Sequence, residues 1–67
     1  MDIENQLKVF RAREDITQEK LAEEVGVSRQ TVNAIETGKY NPSLELALKI
    51  SGFFETELEE IFWLEEK

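Results

Sequence analysis

Three observations predict an all-α domain built from five short helices. Residues that start helices, a Ser or Thr ahead of an apolar-periodic run, recur at Thr17, Ser28, Ser43 and Thr56. Within each run the apolar residues return at intervals of three and four rather than alternating. The single proline and the three glycines stand where such helices would end.

The first helix is expected from about Glu4 to Glu14, with Leu7, Phe10 and also Ile3 at helical spacing, and Asp2 or Asn5 as its cap. The second begins after Thr17, whose hydroxyl can accept an orphan backbone N–H. Ile16 before that cap and Leu21 after it form a hydrophobic staple. Leu21, Ala22 and Val25 make its inner stripe, and Gly26 ends it by taking the left-handed conformation without steric cost. Only Val27 and Ser28 separate that glycine from the third helix. Ser28 caps it, Val27 staples to Val32, and Val32 and Ile35 face inward. Gly38 stops it, and Pro42 bars any continuation through Lys39, Tyr40 and Asn41. Ser43 caps a fourth helix with Leu44, Ala47, Leu48 and Ile50 as its apolar face, reaching Phe53 or Phe54. Thr56 to Glu59 reads as a capping box for a short fifth helix, with Leu58, Ile61 and Phe62 inside.

Sixty-seven residues suffice for one domain spanning 1–67, since a chain of this size buries only about 60% of its unfolded surface. That is too little for an enzyme with its own substrate domain or for a separate ligand-sensing module. Without Cys or His, the chain offers no disulfide framework and no thiolate or imidazole site for a metal or for catalysis. No cofactor is expected. The acidic N-terminus lacks the pattern of a signal peptide, and no apolar run nears the 18 or so residues of a membrane span, so the expected location is the cytoplasm. Adjacent pairs such as Glu23-Glu24, Glu59-Glu60 and Glu65-Glu66 do not face each other on a helix and read as solvated acid rather than catalytic or metal-binding pairs.

The net charge of −7 argues at first against a polyanionic partner. Its distribution softens the objection. Residues 1–27 carry four basic and seven acidic side chains, residues 28–49 three and two, and residues 50–67 one and six. The middle of the chain, which holds the third helix, is therefore the one part that is not acidic.

Two short helices joined through a glycine, each start stapled, form the supersecondary unit that lays a second helix in the DNA major groove. Here that unit covers about residues 17–37. With Val32 and Ile35 inward, Arg29, Gln30 and Asn33 point outward, with Thr37 near the far end. Arg can bond bidentately to guanine, and Gln or Asn to adenine. An ordinary solvated face is the plain alternative for these residues.

Leu7 to about Phe62 resembles the Cro and phage-repressor type of helix-turn-helix regulator, the XRE family. The residues that carry the resemblance are Leu7 to Arg11, Thr17 to Ala22, Val25 to Val32, Ile35 to Gly38 and Asn41 to Leu44. It implies a five-helix lambda-repressor-like DNA-binding domain whose second and third helices form the motif. By that resemblance Arg29 and Gln30 contact bases, and Asn33 reaches bases or a phosphate. Gln18 holds a phosphate and braces the reading helix, and the loop Lys39, Tyr40 and Asn41 grips the backbone, with Ser28 and Thr37 as further phosphate contacts. The resemblance also implies a structural ion pair between Arg11 and Glu36. Tyr40 could equally pack on the fourth helix.

The C-terminal segment 53–67 is the most apolar and aromatic part of the chain. Trp63 and Leu64, with Phe53 or Phe54, are expected at a homodimer contact on a pseudo-palindromic operator; the alternative is that they close the monomer core. The expected function is a prokaryotic transcriptional regulator, a repressor acting by operator occupancy. The competing reading is an antitoxin-like module that binds a partner protein and regulates itself through DNA.

Overall fold

The computed structural model describes residues 2–65 and orders seven elements: β1 (Asp2–Asn5), α1 (Leu7–Arg13), α2 (Gln18–Val25), α3 (Arg29–Glu36), α4 (Leu44–Phe53), α5 (Leu58–Ile61) and β2 (Phe62–Glu65). Met1, and Glu66 and Lys67 at the tip of the expected dimerisation segment, lie outside the described residues.

The helices start where a hydroxyl can cap them. Thr17 Oγ1 accepts from Lys20 N at 3.0 Å, Ser28 Oγ from Thr31 N at 3.1 Å and Ser43 Oγ from Leu46 N at 3.1 Å. Four helices also share one way of ending. A residue in the left-handed region turns the chain, and the next N–H donates five residues back: Ile16 to Arg11 O, Val27 to Ala22 O, Lys39 to Ala34 O and Thr56 to Ser51 O. Gly26 and Gly38 supply two of the left-handed turns, at φ 78° and 80°. Asp15 and Glu55 supply the others at φ 55° and 53°, where a side chain is strained. Gly52 lies inside the last turn of α4 and ends nothing.

Each helix contributes to one core. Leu7, Leu21, Val32, Ile35, Ile50 and Ile61, drawn from all five, are almost wholly excluded from solvent. Ile3, Phe10, Ile16, Val27, Phe53, Phe54 and Leu58 pack around them.

The structure corrects the all-α expectation. Both ends of the described chain are extended and pair antiparallel, with Ile3 opposite Leu64 and Asn5 opposite Phe62. The run of Phe62, Trp63 and Leu64 suits a strand better than a helix turn, and β-branched Ile3 suits its partner. The first helix therefore starts at Leu7 rather than near Glu4. Asn5 sets that start: its Oδ1 accepts from Leu7 N at 3.0 Å, while its Nδ2 donates to Ile35 O at 2.9 Å. Gln6 continues the seam, with N donating to Ile61 O at 3.0 Å and Nε2 to Glu60 O at 2.6 Å. Phe62, expected on the fifth helix, is buried but belongs to β2.

Two further expectations fail locally. The inner stripe of α4 is Leu46, Ala47 and Ile50, whereas Leu44 and Leu48 lie on the exposed side. With a polar Glu45 between leucines, the phase of so apolar a helix is decided by its neighbours. Thr56 does not cap α5, which begins after Glu57 without a side-chain cap; the Thr56 N–H, which a capping box would offer to Glu59, donates instead to Ser51 O and closes α4.

Candidate nucleic-acid interface

Arg29, Gln30 and Asn33 lie on the exposed side of α3, away from Val32 and Ile35. Ser28 fixes where the helix starts and Val32 fixes its roll, so the outward direction of the three side chains follows from local sequence. With Gln18, from the first turn of α2, they line one shallow surface depression. Arg29 and Gln18 also border a neighbouring depression with Arg11, Thr17 and Glu19. Arg29 and Glu19 are the charges at this surface that no ion pair among the described residues takes up, since the Arg11 guanidinium is spent on Glu36.

Beneath this surface a polar network ties three helices together. Arg11 on α1 donates through Nε to Glu36 Oε2 at 2.8 Å and through Nη2 to Oε1 at 3.2 Å. Its remaining nitrogen, Nη1, donates to Ile16 O at 2.9 Å. The two side chains are 16% and 5% exposed, so the pair is mostly withdrawn from water. The Glu36 hydrogen bond raises the Arg11 pKa, against a smaller opposing effect of burial, and the Glu36 charge adds to the rise. Gln18 Nε2 completes the network, donating to Glu36 Oε1 at 3.0 Å and to Asn33 Oδ1 at 3.1 Å. Both N–H groups of that amide face protein, so what Gln18 turns outward is Oε1 and its own backbone.

The remaining candidate phosphate contacts do not gather in one place. Ser28 Oγ is occupied as a cap and lies 3.0 Å from Thr31 Oγ1. Thr37 Oγ1 donates to Asn33 O at 3.0 Å and to Ala34 O at 3.3 Å, folding back on its own helix. Thr37 and Asn41 border a depression beside β1 that also includes Asp2 and Glu4. Tyr40 is 46% exposed and sits beside Val25, Val27 and Thr31, on another side of the α2–α3 turn. Lys39 is exposed directly after Gly38.

Phe53 and Phe54 are half-buried against the chain's own core, ring centroids 5.0 Å apart, with Phe54 also 5.7 Å from Phe10. Trp63 and Leu64 remain 38% and 60% exposed. Strand alternation puts Leu64 on the face of Ile3 and Phe62 and Trp63 on the other, yet both border one apolar depression near the strand end. Sequence reasoning placed Asn5 at the start of the first helix but missed its bond to Ile35 O, and it missed Gln6 altogether; both carry the ribbon. Their partners, Ile35 O and Glu60 O, are main-chain carbonyls with no residue-type signal.

Fold and site together define a small helical body that presents one braced, polar helix face bearing side chains suited to base edges. Comparison with known proteins gives that class its name. The helix-turn-helix family model matches residues 7–61, and the chain belongs to that family. Over 64 residues it is 55% identical to an uncharacterised HTH-type transcriptional regulator of Methanocaldococcus jannaschii, covering 96% of this chain and 97% of that protein. It is 57% identical over 65 residues to the uncharacterised HTH-type transcriptional regulator YgzD of Bacillus subtilis, covering 97% and 98%. Among solved structures it is similar to the restriction-modification controller protein C.AhdI of Aeromonas hydrophila, with a TM-score of 0.75, 33% identity and coverage of 81% and 82%.

Proposed function

We propose that this protein is a regulator of transcription that binds double-stranded DNA sequence-specifically, with α2 and α3 as its helix-turn-helix and α3 laid in the major groove. The observation that carries this reading is the convergence of Gln18, Arg29, Gln30 and Asn33 on one surface depression, underpinned by the Arg11–Glu36 pair. Relatives named as HTH-type transcriptional regulators support it. Arg29 and Gln30 read base edges, and Asn33 lies beside them. A phosphate is held at the start of α2, where the Gln18 and Glu19 N–H groups lack intrahelical acceptors and Arg29 is close, Thr17 having taken the N–H of Lys20. Lys39 and Tyr40, with Ser28, Thr37 and Asn41, flank α3 as backbone contacts; Asp2 and Glu4 make the Asn41 side the weaker of the two. The whole chain acts as one domain in the cytoplasm. Two copies, joined through Trp63 and Leu64, occupy a pseudo-palindromic operator and repress by occupancy.

Fluorescence anisotropy with duplexes from the gene's own upstream region, and with sites selected from random duplexes, tests the reading. Arg29→Ala and Gln30→Ala should each weaken specific binding by about 1–3 kcal/mol and relax one base position. Lys39→Ala should weaken all sequences alike and flatten the salt dependence by about one unit. A protein that binds none of these duplexes at low salt would end the proposal.

A further inference from the structure

We propose that two copies of the chain join main chain to main chain: the free edge of β2 pairs antiparallel with β2 of a second copy about a twofold axis at Leu64, making the two ribbons one continuous sheet. The inference rests on the dimer proposed through Trp63 and Leu64 and gives it a geometry.

The phase of the ribbon decides which main-chain groups are free. Gln6 N donates to Ile61 O at 3.0 Å, in the same register that sets Glu4 opposite Trp63 and Asp2 opposite Glu65. Hydrogen-bonded pairs in an antiparallel ladder fall at every second residue, so β1 and β2 bond through Glu4 with Trp63 and through Asp2 with Glu65. The N–H and C=O groups of Ile3, Asn5, Phe62 and Leu64 therefore point off the two outer edges. The Phe62 N–H agrees with this phase, since it turns away from β1 and donates to Leu58 O. The outer edge of β1 is backed by the end of α3, where the Asn5 amide donates to Ile35 O at 2.9 Å. At Leu64 the edge of β2 is open. That residue is 60% exposed, and neither its N–H nor its C=O has a partner among the described residues.

A second copy satisfies this edge without any other residue. Across the twofold axis Leu64 meets the second copy's Leu64, and each N–H donates to the other's C=O. The same register sets Trp63 opposite the second copy's Glu65, which offers the indole N–H an acceptor and keeps carboxylate from facing carboxylate. On the other face the two Leu64 side chains meet beside Ile3 and Phe62, where each ribbon already has an apolar depression. Neighbouring registers fit less well. An axis at Trp63 would turn the Leu64 C=O toward a Phe62 N–H already spent on Leu58 O, and an axis at Glu65 would set acid against acid. Residues 50–67 carry six acidic side chains and one basic, so a register that separates the acids is the one two copies tolerate.

Two measurements test this. In the wild type, backbone amide exchange followed by NMR should show the Leu64 N–H slowing as concentration rises into the dimeric range. The Trp63 N–H, committed to β1, should be protected throughout. Leu64→Pro and Leu64→Ala should then be compared by sedimentation equilibrium. Both shorten the side chain, but only proline removes the N–H, which the chain's own ribbon does not use. Proline should raise the dimer dissociation constant about thirtyfold beyond alanine, the effect of two lost hydrogen bonds, with little difference between the two melting midpoints of the monomers. The amide measurement stands whether or not the proline variant folds. A Leu64 amide that exchanges freely in a sample sedimenting as a dimer would overturn the inference alone, as would equal dissociation of two folded variants. A wild type that stays monomeric throughout would remove the proposed twofold contact first, and the inference with it.

Discussion

Arg11 and Glu36 carry more than their contact to each other. Arg11 closes the turn after α1 through Ile16 O, and Glu36 orients Gln18, so the pair reaches from a helix end to the outward face of α3. An ion pair this withdrawn from water adds little net stability, because desolvation offsets its attraction, but removing one partner strands the other charge. Arg11→Ala should therefore cost about 3 kcal/mol, measured by urea denaturation. Arg11→Lys keeps the charge but cannot form the paired bonds to Glu36 together with the bond to Ile16 O, and should recover only part of that loss. DNA binding by either variant has to be measured well below its unfolding midpoint, since lost binding could otherwise report only an unfolded chain.

The four like helix endings give the elements their lengths, and their chemistry is unequal. Gly26 takes its left-handed turn freely, and a Cβ added there would meet nothing within 4 Å. Gly26→Ala should cost about 1 kcal/mol from backbone strain alone, a loss that a thermal melt would register. Glu55 is the reverse case. Its left-handed conformation costs about 1–2 kcal/mol, whereas glycine at this position would add about 0.4–1 kcal/mol of unfolded-state entropy. Relief of strain is the larger effect, so Glu55→Gly should stabilise the protein by about 0.5–1 kcal/mol in urea denaturation. The sequence marks Gly26 and Gly38 as stops because glycine is the residue this conformation favours. It gives only a weak mark at Asp15, a residue type that visits this conformation occasionally, and none at Glu55.

At the level of the molecule, the ribbon ties the chain ends to the body through Asn5, whose amide links the start of α1 to the end of α3. Asn5→Ala would leave Ile35 O without that donor and Leu7 N without its acceptor, for a loss of about 1–2 kcal/mol in the same denaturation assay. The ribbon also leaves Trp63 and Leu64 at the surface beside Ile3 and Phe62. Sedimentation equilibrium at high micromolar concentration should find the wild type dimeric and Trp63→Ala shifted toward monomer. A wild type that sediments as a monomer throughout would rule out the proposed twofold contact. Phe53 and Phe54, packed with Phe10, should matter to the stability of the monomer more than to association.

Whatever depends on neighbours along the chain is written into the sequence itself. A hydroxyl caps a helix three residues ahead, a glycine turns the chain where it stands, and apolar spacing sets the roll of α3, so its boundaries and its outward Arg29, Gln30 and Asn33 follow from local chemistry. Contacts between distant residues decided the rest. The pairing of β1 with β2 joins residues about sixty positions apart, and backbone hydrogen bonds of that kind leave only a weak imprint on side-chain type. The same holds for the buried stripe of α4, which is apolar nearly all round and takes its phase from the helices it meets. It holds most sharply for Asn33. Its place on an exposed face was legible, but the direction of its amide depends on Arg11, Glu36 and Gln18, three side chains from three helices that only the folded chain brings within hydrogen-bond reach.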